Sequence, residues 1–136
     1  GTDITLVSYG STLRLVQIAA EKLATMGINA EIIDVQSLIP LDKTAVIGAS
    51  VQKTNRLLIV DEDIPGGGSA YILSQLLEKQ NIYQYLDSQP MLLTAKEHRP
   101  AYGTDGDYFS KPSIEDIVEK VYAIMHDAKP SQFPAL

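Results

Sequence analysis

Short apolar runs alternate with helical patterns along this chain, and four of the runs have the character of β-strands. Each is rich in branched or aromatic side chains or is followed by residues typical of turns. The predicted strands are Asp3–Tyr9, Ala30–Val35, Leu57–Val60 and Met91–Ala95. The third run is apolar throughout, which is typical of a strand that is covered on both faces.

The first and the last predicted helix have the clearest caps and apolar spacing in the sequence. The first is capped by Ser11 or Thr12 and ends before Gly27, a common residue just past a helix end. Its inward positions recur every three or four residues: Leu13, Val16, Ala20 and Leu23. The last begins at Ser113, which forms a capping-box-like pattern with Asp116. Its inward positions are Ile114, Ile117, Val118, Val121, Ile124 and Met125.

Two further helices are predicted between the inner strands. One opens at Pro40 and Asp42, with Ala45, Val46 and Ala49 on its inward face. The other carries Ile72, Leu73, Leu76 and Leu77. Residues 97–112 show no periodicity and are predicted to form a long loop. Residues 127–136 contain two prolines and are predicted to be an irregular tail behind a domain of residues 1–126.

This alternation of strands and helices predicts an α/β fold with three layers, α/β/α, around a mainly parallel sheet of four strands. A chain of 136 residues is expected to form one domain. At this size, folding buries roughly two-thirds of the unfolded surface, which is enough for a core. The 45% of hydrophobic and 21% of charged residues are ordinary for a globular domain and exclude a disordered chain.

The composition also excludes several kinds of functional site and binding partner. The absence of cysteine excludes disulfides and thiolate sites, and two histidines leave little material for a zinc site. The net charge of −6 argues against binding to nucleic acid, and no apolar run is long enough to span a membrane. We expect a cytoplasmic protein. Since the chain opens at Gly1 almost directly in a strand, we interpret that end as a cut site in something longer.

Ligands of parallel sheets gather at the carboxyl ends of the strands, which directs attention to residues 9–12 and 61–68. The first segment, YGST, places hydroxyls and backbone amides at a helix start, where they could hold an anion. The same residues are explained by a turn followed by a helix cap, and the spacings of known phosphate loops are missing. Capping alone is therefore the favoured interpretation.

The second segment, DEDIPGGGSAYI, is the most unusual stretch of the chain. The carboxylates of residues 61–63 could bind Mg²⁺, but no partner carboxylate follows the first strand, so a solvated or interface charge cluster is favoured. Three consecutive glycines are entropically costly unless the backbone turns at positive φ or is approached closely. Close packing against another chain explains Gly66, Gly67 and Gly68 without any ligand.

The histidines do not indicate catalysis. His98 lies in the predicted loop beside Arg99, with no nucleophile near it in the sequence. His126 lies at a helix end, where a partial positive charge is favourable. From the residues alone we predict no catalytic, cofactor-binding or metal-binding side chain.

The order and spacing of several phrases resemble a known family. GTDITLVSYGS, INAEIIDVQSLIPLD, SVQKTNRLLIVDEDIPGGGSAYI and SKPSIEDIVEKV are similar to the C-terminal, transketolase C-terminal-like domain of the beta chain of 2-oxo acid dehydrogenases. These are the thiamin-diphosphate-dependent first components of the pyruvate and branched-chain complexes, and the resemblance covers nearly the whole chain.

The resemblance implies an assembly domain of an oxidoreductase that is not itself catalytic. Thiamin diphosphate and Mg²⁺ would be bound by other domains. The expected partners are the other subunits and the subunit-binding domain of the acyltransferase core, in an oligomer. The implied interface residues are Asp61, Glu62, Gly66, Gly67 and Gly68, followed by His98 and Arg99. The family sheet has a fifth, antiparallel strand before the position of Gly1, so Ala30–Val35 would lie at an uncovered edge. We expect this edge to be paired by another copy of the chain or by the tail, or to be left open to solvent.

Two departures bear on the substrate. Gln36 stands where the family usually has arginine, and the segment EHRPAYGTDGDYFSKP differs from the usual pyruvate-type version. Which 2-oxo acid is used therefore stays open. Two alternatives also stay open: the C-terminal domain of a transketolase or deoxyxylulose-phosphate synthase, and a flavodoxin-like module that binds an anion or Mg²⁺.

Overall fold

The computed structural model describes most of the predicted elements. The ranges described are residues 2–10, 12–35, 46–61, 72–73, 82–87, 89–94, 96–98, 108–110 and 112–134. Six strands and three helices have described bounds: β1 (Ile4–Ser8), α1 (Thr12–Thr25), β2 (Ala30–Asp34), α2 (Val46–Thr54), β3 (Leu57–Val60), β4 (Met91–Leu93), β5 (Lys96–His98), β6 (Tyr108–Ser110) and α3 (Ile114–Ala128). A short 3-10 helix, Ile82–Tyr85, precedes β4.

The main sheet is parallel and has the strand order β2-β1-β3-β4. In its centre, Leu6 of β1 is in register with Ile32 of β2 on one side and with Leu58 of β3 on the other. This confirms the predicted α/β class and the four parallel strands. Within the described ranges β2 pairs only with β1, so it lies at an edge, as the family resemblance implies.

Successive side chains of the strands alternate between the two faces of the sheet, so the hydrophobic core has two layers. Ile4 and Leu6 of β1 pack in one cluster with Val16 of α1 and Ile117 of α3. Val7, their neighbour on β1, packs in a second cluster with α2 and the 3-10 helix. Successive side chains of a strand point to opposite faces, so helices cover the sheet on both sides. The three-layer architecture follows from this arrangement.

The inward face predicted for α2 is wrong. Val46 is 42% exposed and Ala49 is also exposed, while Ile47 and Val51 are fully buried. Ser50 and Thr54 are buried beside them, so half of the inward face is polar, and apolar periodicity alone indicated the wrong face. Ala45 lies outside the described residues. In α1, Val16 and Leu23 are buried as predicted, but Ala19 is more buried than Ala20.

The long loop predicted for residues 97–112 is also wrong in part. β5 and β6 pair as an antiparallel ladder in which Glu97 lies opposite Phe109. Each strand has three residues. Strands of this length are too short to display the period of two by which a strand is recognised in a sequence.

The last helix begins as predicted and ends later. The backbone amide of Asp116 donates to Ser113 Oγ at 3.1 Å, and the amide of Ser113 donates to Asp116 Oδ2 at 2.9 Å, which completes the capping box. The helix continues to Ala128, two residues past the boundary predicted at 126. Phe133, in the predicted tail, is 5% exposed and belongs to the core cluster of α1 and α3. Its packing attaches this part of the tail to the domain.

Candidate functional site at the carboxyl edge of the sheet

The hydroxyls at the end of β1 are used within the fold. Ser8 Oγ donates to the carbonyl oxygen of Val60 at 3.0 Å and lies 2.8 Å from Thr12 Oγ1. The Thr12 hydroxyl donates to the carbonyl oxygen of Tyr9 at 2.7 Å, and Thr12 is 1% exposed. These contacts turn the Thr12 hydroxyl toward the protein. Thr12 is the first residue of α1, so the capping interpretation of the YGST segment stays a prediction. Ser11 lies outside the described residues.

Tyr9 and Asp61 join the two segments that follow β1 and β3 at the carboxyl edge of the sheet. The Tyr9 hydroxyl donates to Asp61 Oδ2 at 2.7 Å, and the Asp61 amide donates to the carbonyl oxygen of Leu93 at 2.9 Å. Asp61 is 1% exposed. The interpretation of this residue as part of a solvated cluster is therefore wrong. A buried carboxylate must be hydrogen-bonded to be tolerated, and the Tyr9 hydroxyl supplies one such bond.

The described part of the structure does not bring the other predicted interface residues together around Asp61. Glu62, Gly66, Gly67, Gly68 and Arg99 lie outside the described residues. His98 is the last residue of β5 and is in register with Tyr108 of β6. The grouping of these residues into one surface therefore stays a prediction.

The described ranges contain neither a cluster of potential metal ligands nor a helix suited to span a membrane. Within the described ranges, no group of three histidine, aspartate or glutamate side chains is arranged to hold a metal ion. Of the three carboxylates that were considered for Mg²⁺, only Asp61 is described. None of the helices in the described part combines the length and the apolar character needed to cross a membrane.

Sequence reasoning missed a buried arginine at the opposite edge of the sheet. Arg56, directly before β3, is 5% exposed. Its Nη1 donates to the carbonyl oxygen of Asp3 at 2.9 Å, and its Nη2 lies 2.7 Å from Asp87 Oδ2. Its buried Nε has no hydrogen-bond partner among the residues that the structure describes. Asn55 beside it has φ of 65° and donates from Nδ2 to the carbonyl oxygen of Tyr85 at 2.6 Å. These bonds fasten the segment before β4 to the sheet.

A second missed feature is a line of polar side chains between α2 and the sheet, which we call the polar seam: Glu31, Ser50, Lys53, Thr54 and Thr5. Thr5 Oγ1 lies 2.7 Å from both Ser50 Oγ and Thr54 Oγ1. Ser50 Oγ donates to Glu31 Oε2 at 2.9 Å, and Lys53 Nζ lies 2.6 Å from the same oxygen.

The polar seam lowers the pKa of Glu31. Burial raises the pKa, but the hydrogen bonds from Lys53 and Ser50, together with the nearby ammonium charge, lower it by more, so the pKa lies below its ordinary value of 4.5. Glu31 is therefore an ionised, hydrogen-bonded anchor for α2, and it has no arrangement suited to general acid or base catalysis.

Comparison with known proteins identifies relatives of the whole domain. The family model for the transketolase C-terminal domain matches residues 1–111. The chain is 38% identical over 119 residues to pyruvate dehydrogenase E1 component subunit beta-1, mitochondrial, of Arabidopsis thaliana, covering 87% of this chain and 32% of that protein. It is 35% identical over 125 residues to pyruvate dehydrogenase E1 component subunit beta of Mesostigma viride, covering 92% and 38%.

A bacterial relative gives a similar result. The chain is 31% identical over 126 residues to pyruvate dehydrogenase E1 component subunit beta of Rhizobium meliloti (strain 1021), covering 93% of this chain and 27% of that protein. The chain thus spans about a third of the length of the curated relatives it matches. These matches extend across the predicted strands and helices, and they agree with the resemblance found in the sequence phrases.

Proposed function

The chain belongs to the family of transketolase C-terminal domains, and on this premise we propose that it is the assembly domain of the beta subunit of a 2-oxo acid dehydrogenase E1 component. The observation that carries the proposal is that relatives named pyruvate dehydrogenase E1 beta subunits match 87% to 96% of the chain. Those names favour this branch over a transketolase or deoxyxylulose-phosphate synthase. The oxidoreductase activity would belong to the complete enzyme.

The described residues do not fit thiamin diphosphate or Mg²⁺. At the carboxyl edge, the Thr12 hydroxyl donates to a backbone carbonyl and the Asp61 carboxylate accepts from Tyr9. No group of three potential metal ligands is present in the ranges described. As the family resemblance implies, we propose that other domains of the enzyme bind the cofactor and its metal, while this domain contributes to association.

Association would involve the other subunits of the dehydrogenase and the subunit-binding domain of the acyltransferase core. We propose the segment that begins at Asp61 and continues through Glu62 to Gly66–Gly68 as the main contact, with His98 and Arg99 as secondary positions. Asp61 supports this indirectly, because its buried hydrogen bonds hold the first residue of the segment at the carboxyl edge of the sheet.

Pyruvate is the substrate that the names of the relatives favour. Gln36, in place of the arginine usual in the family, lies outside the described residues, and a branched-chain 2-oxo acid is the competing choice. Several relatives are named mitochondrial and one comes from a bacterium. A cytoplasmic location therefore remains a prediction that depends on the organism.

The test uses the full-length protein together with its partner subunits. We expect decarboxylation that depends on thiamin diphosphate, Mg²⁺ and pyruvate. Assembly is measured in parallel by sedimentation, with Gly67→Val as the variant and Gln52→Val, at an exposed position of α2, as its control. We expect Gly67→Val alone to reduce assembly while both variants unfold at nearly the wild-type temperature. Normal assembly of Gly67→Val would contradict the role of the glycines, and turnover of only branched-chain acids would contradict pyruvate.

A further inference from the structure

A groove lies between β4 and α3, on the face of the sheet that α1 and α3 cover. It contains two cavities of about 120 and 250 Å³. Met91 contributes to the smaller cavity and Leu93 to the larger one, while Lys120 and Ala123 of α3 line both. Because they share these two residues, the cavities adjoin along the strand. We refer to the two adjoining cavities together as the groove.

The strand beside the groove has an open hydrogen-bonding edge. Within the described ranges β4 pairs only with β3. The Leu93 carbonyl accepts from the amide of Asp61, so the main chain of Leu93 faces the β3 side. Successive residues of a strand direct their backbone groups to opposite sides, which places the N–H and C=O of Leu92 on the outer side. Such an edge is a template for a further strand.

The spacing of the cavities matches the repeat of a strand. Met91 and Leu93 are two residues apart, which corresponds to about 6.6 Å along β4. In a strand added to this edge, side chains at alternate positions would point to the same face with the same spacing. Two such side chains, separated by one residue, would therefore enter the two cavities together.

The chemistry of the lining indicates which side chains would be accepted. The smaller cavity is lined by Met91, Ala123 and Ile124, which can contact an apolar side chain, and also by Gln89, Lys120 and Asp127. The larger cavity is bordered by Leu93, by Glu119 and by Asp116, whose carboxylate also accepts from the Ser113 amide. Together the two cavities are lined by three carboxylates, those of Asp116, Glu119 and Asp127, and by the one ammonium of Lys120. A basic side chain is therefore favoured in the larger cavity.

We propose that this groove binds an extended segment of another subunit of the complex, which adds to β4 as a strand and places an apolar and a basic side chain, two residues apart, in the two cavities. The inference rests on the proposed function, since that function supplies the partner subunit. Main-chain hydrogen bonds to Leu92 would provide affinity, and the two cavities would provide specificity.

The first measurement is amide hydrogen exchange of Met91–Thr94 in the full-length protein, alone and assembled with its partner subunits. The amides of Leu92 and Thr94 point away from β3, so they report on the outer edge. We expect their exchange to slow by about tenfold or more on assembly, because each would become hydrogen-bonded. Assembly with unchanged exchange at these amides would overturn the inference and leave the assembly function standing. Failure of the folded protein to assemble at all would overturn both.

Two pairs of variants, each with one change in the groove and one control change on α1, test the residues that line the groove. Ala123→Trp fills the space shared by the cavities, and its control is Ala24→Trp at an exposed position of α1. Glu119→Lys reverses a charge of the larger cavity, and its control is Glu21→Lys, also exposed on α1. We expect the two groove variants to raise the dissociation constant for assembly by about tenfold, with the effect of Glu119→Lys reduced at high salt. Equal effects of the groove variants and their controls would overturn the inference.

Discussion

The guanidinium of Arg56 and the carboxylate of Asp87 lie 2.7 Å apart and connect the start of β3 to the segment that leads into β4. The two side chains differ in environment, because 6% of the Arg56 side-chain surface and 45% of the Asp87 side-chain surface are exposed. Arg56 also donates to the backbone oxygen of Asp3, so it holds β1, β3 and the segment before β4 together.

Because of this second bond, we expect replacement of Arg56 to lower the free energy of unfolding more than replacement of Asp87. Arg56→Ala removes both hydrogen bonds and the packing of the buried side chain, and we expect a loss of about 2–4 kcal/mol in the free energy of unfolding. Asp87→Ala leaves an arginine that still bonds Asp3, and we expect about 1 kcal/mol. Urea unfolding of both variants measures the difference. A larger loss for Asp87→Ala would mean that the ion pair, rather than the bond to Asp3, dominates.

The hydroxyl of Tyr9 is expected to matter for stability because Asp61 is buried. Tyr9→Phe removes a donor from a buried carboxylate, and we expect a loss of about 1–3 kcal/mol. Tyr83→Phe is the matched control, since Tyr83 is 65% exposed and its hydroxyl can bond water. Thermal unfolding compares the two variants. Similar melting temperatures for both would show that Asp61 does not depend on Tyr9.

These contacts show what the sequence could predict and what it could not. The carboxyl ends of parallel strands lie at one edge, so the sequence directed attention to the segments of Tyr9 and Asp61, and the structure joins them by a hydrogen bond. The burial of Arg56 depends on Asp3 and Asp87, which are distant along the chain, so no local pattern indicates it. The inward face of α2 was missed for a related reason, because Ser50 and Thr54 are buried where their hydroxyls bond Thr5, which is distant along the chain.

The polar seam is expected to make stability depend on pH below about 4.5. The pKa of Glu31 is lower in the folded state, so its contribution is present above the unfolded pKa and is lost as the pH falls through the folded value. Lys53 is half-exposed, so we expect the contribution at pH 7 to be at most about 1 kcal/mol. Urea unfolding of wild type and Glu31→Gln at pH 7 and pH 3 measures it.

For Glu31, the difference in stability between the two proteins should shrink at the lower pH, because a larger fraction of the carboxylate is protonated there. Lys53→Met serves as a second variant, because it removes the ammonium and keeps the bond from Ser50. It should reproduce part of the effect. A difference that stays constant from pH 7 to pH 3 would show that the ionisation of Glu31 does not contribute.

The segment after α3 is expected to be part of the folded domain. Phe133 is buried, and its ring packs edge-to-face on the Tyr122 ring, with the two ring centroids 6.0 Å apart. The carbonyl oxygen of Phe133 lies 2.7 Å from His126 Nδ1. Since a carbonyl only accepts, this nitrogen carries the proton. We expect Phe133→Ala to lower the free energy of unfolding by about 3 kcal/mol and to make the segment sensitive to proteolysis. Gln132→Ala, at an exposed neighbouring position, is the control, and equal resistance of the two variants would contradict the packing role.

The isolated domain is expected neither to bind thiamin diphosphate nor to decarboxylate a 2-oxo acid. The described hydroxyls and carboxylate at the carboxyl edge are hydrogen-bonded within the fold, and the family resemblance places the cofactor in other domains. Titration calorimetry of the 136-residue chain with Mg²⁺ and thiamin diphosphate should give no binding heat, and turnover of pyruvate should equal the blank without protein. Circular dichroism on the same sample, with its helical signal retained, shows that the domain is folded. Binding in the micromolar range by this folded sample would mean that the domain itself contributes a cofactor site.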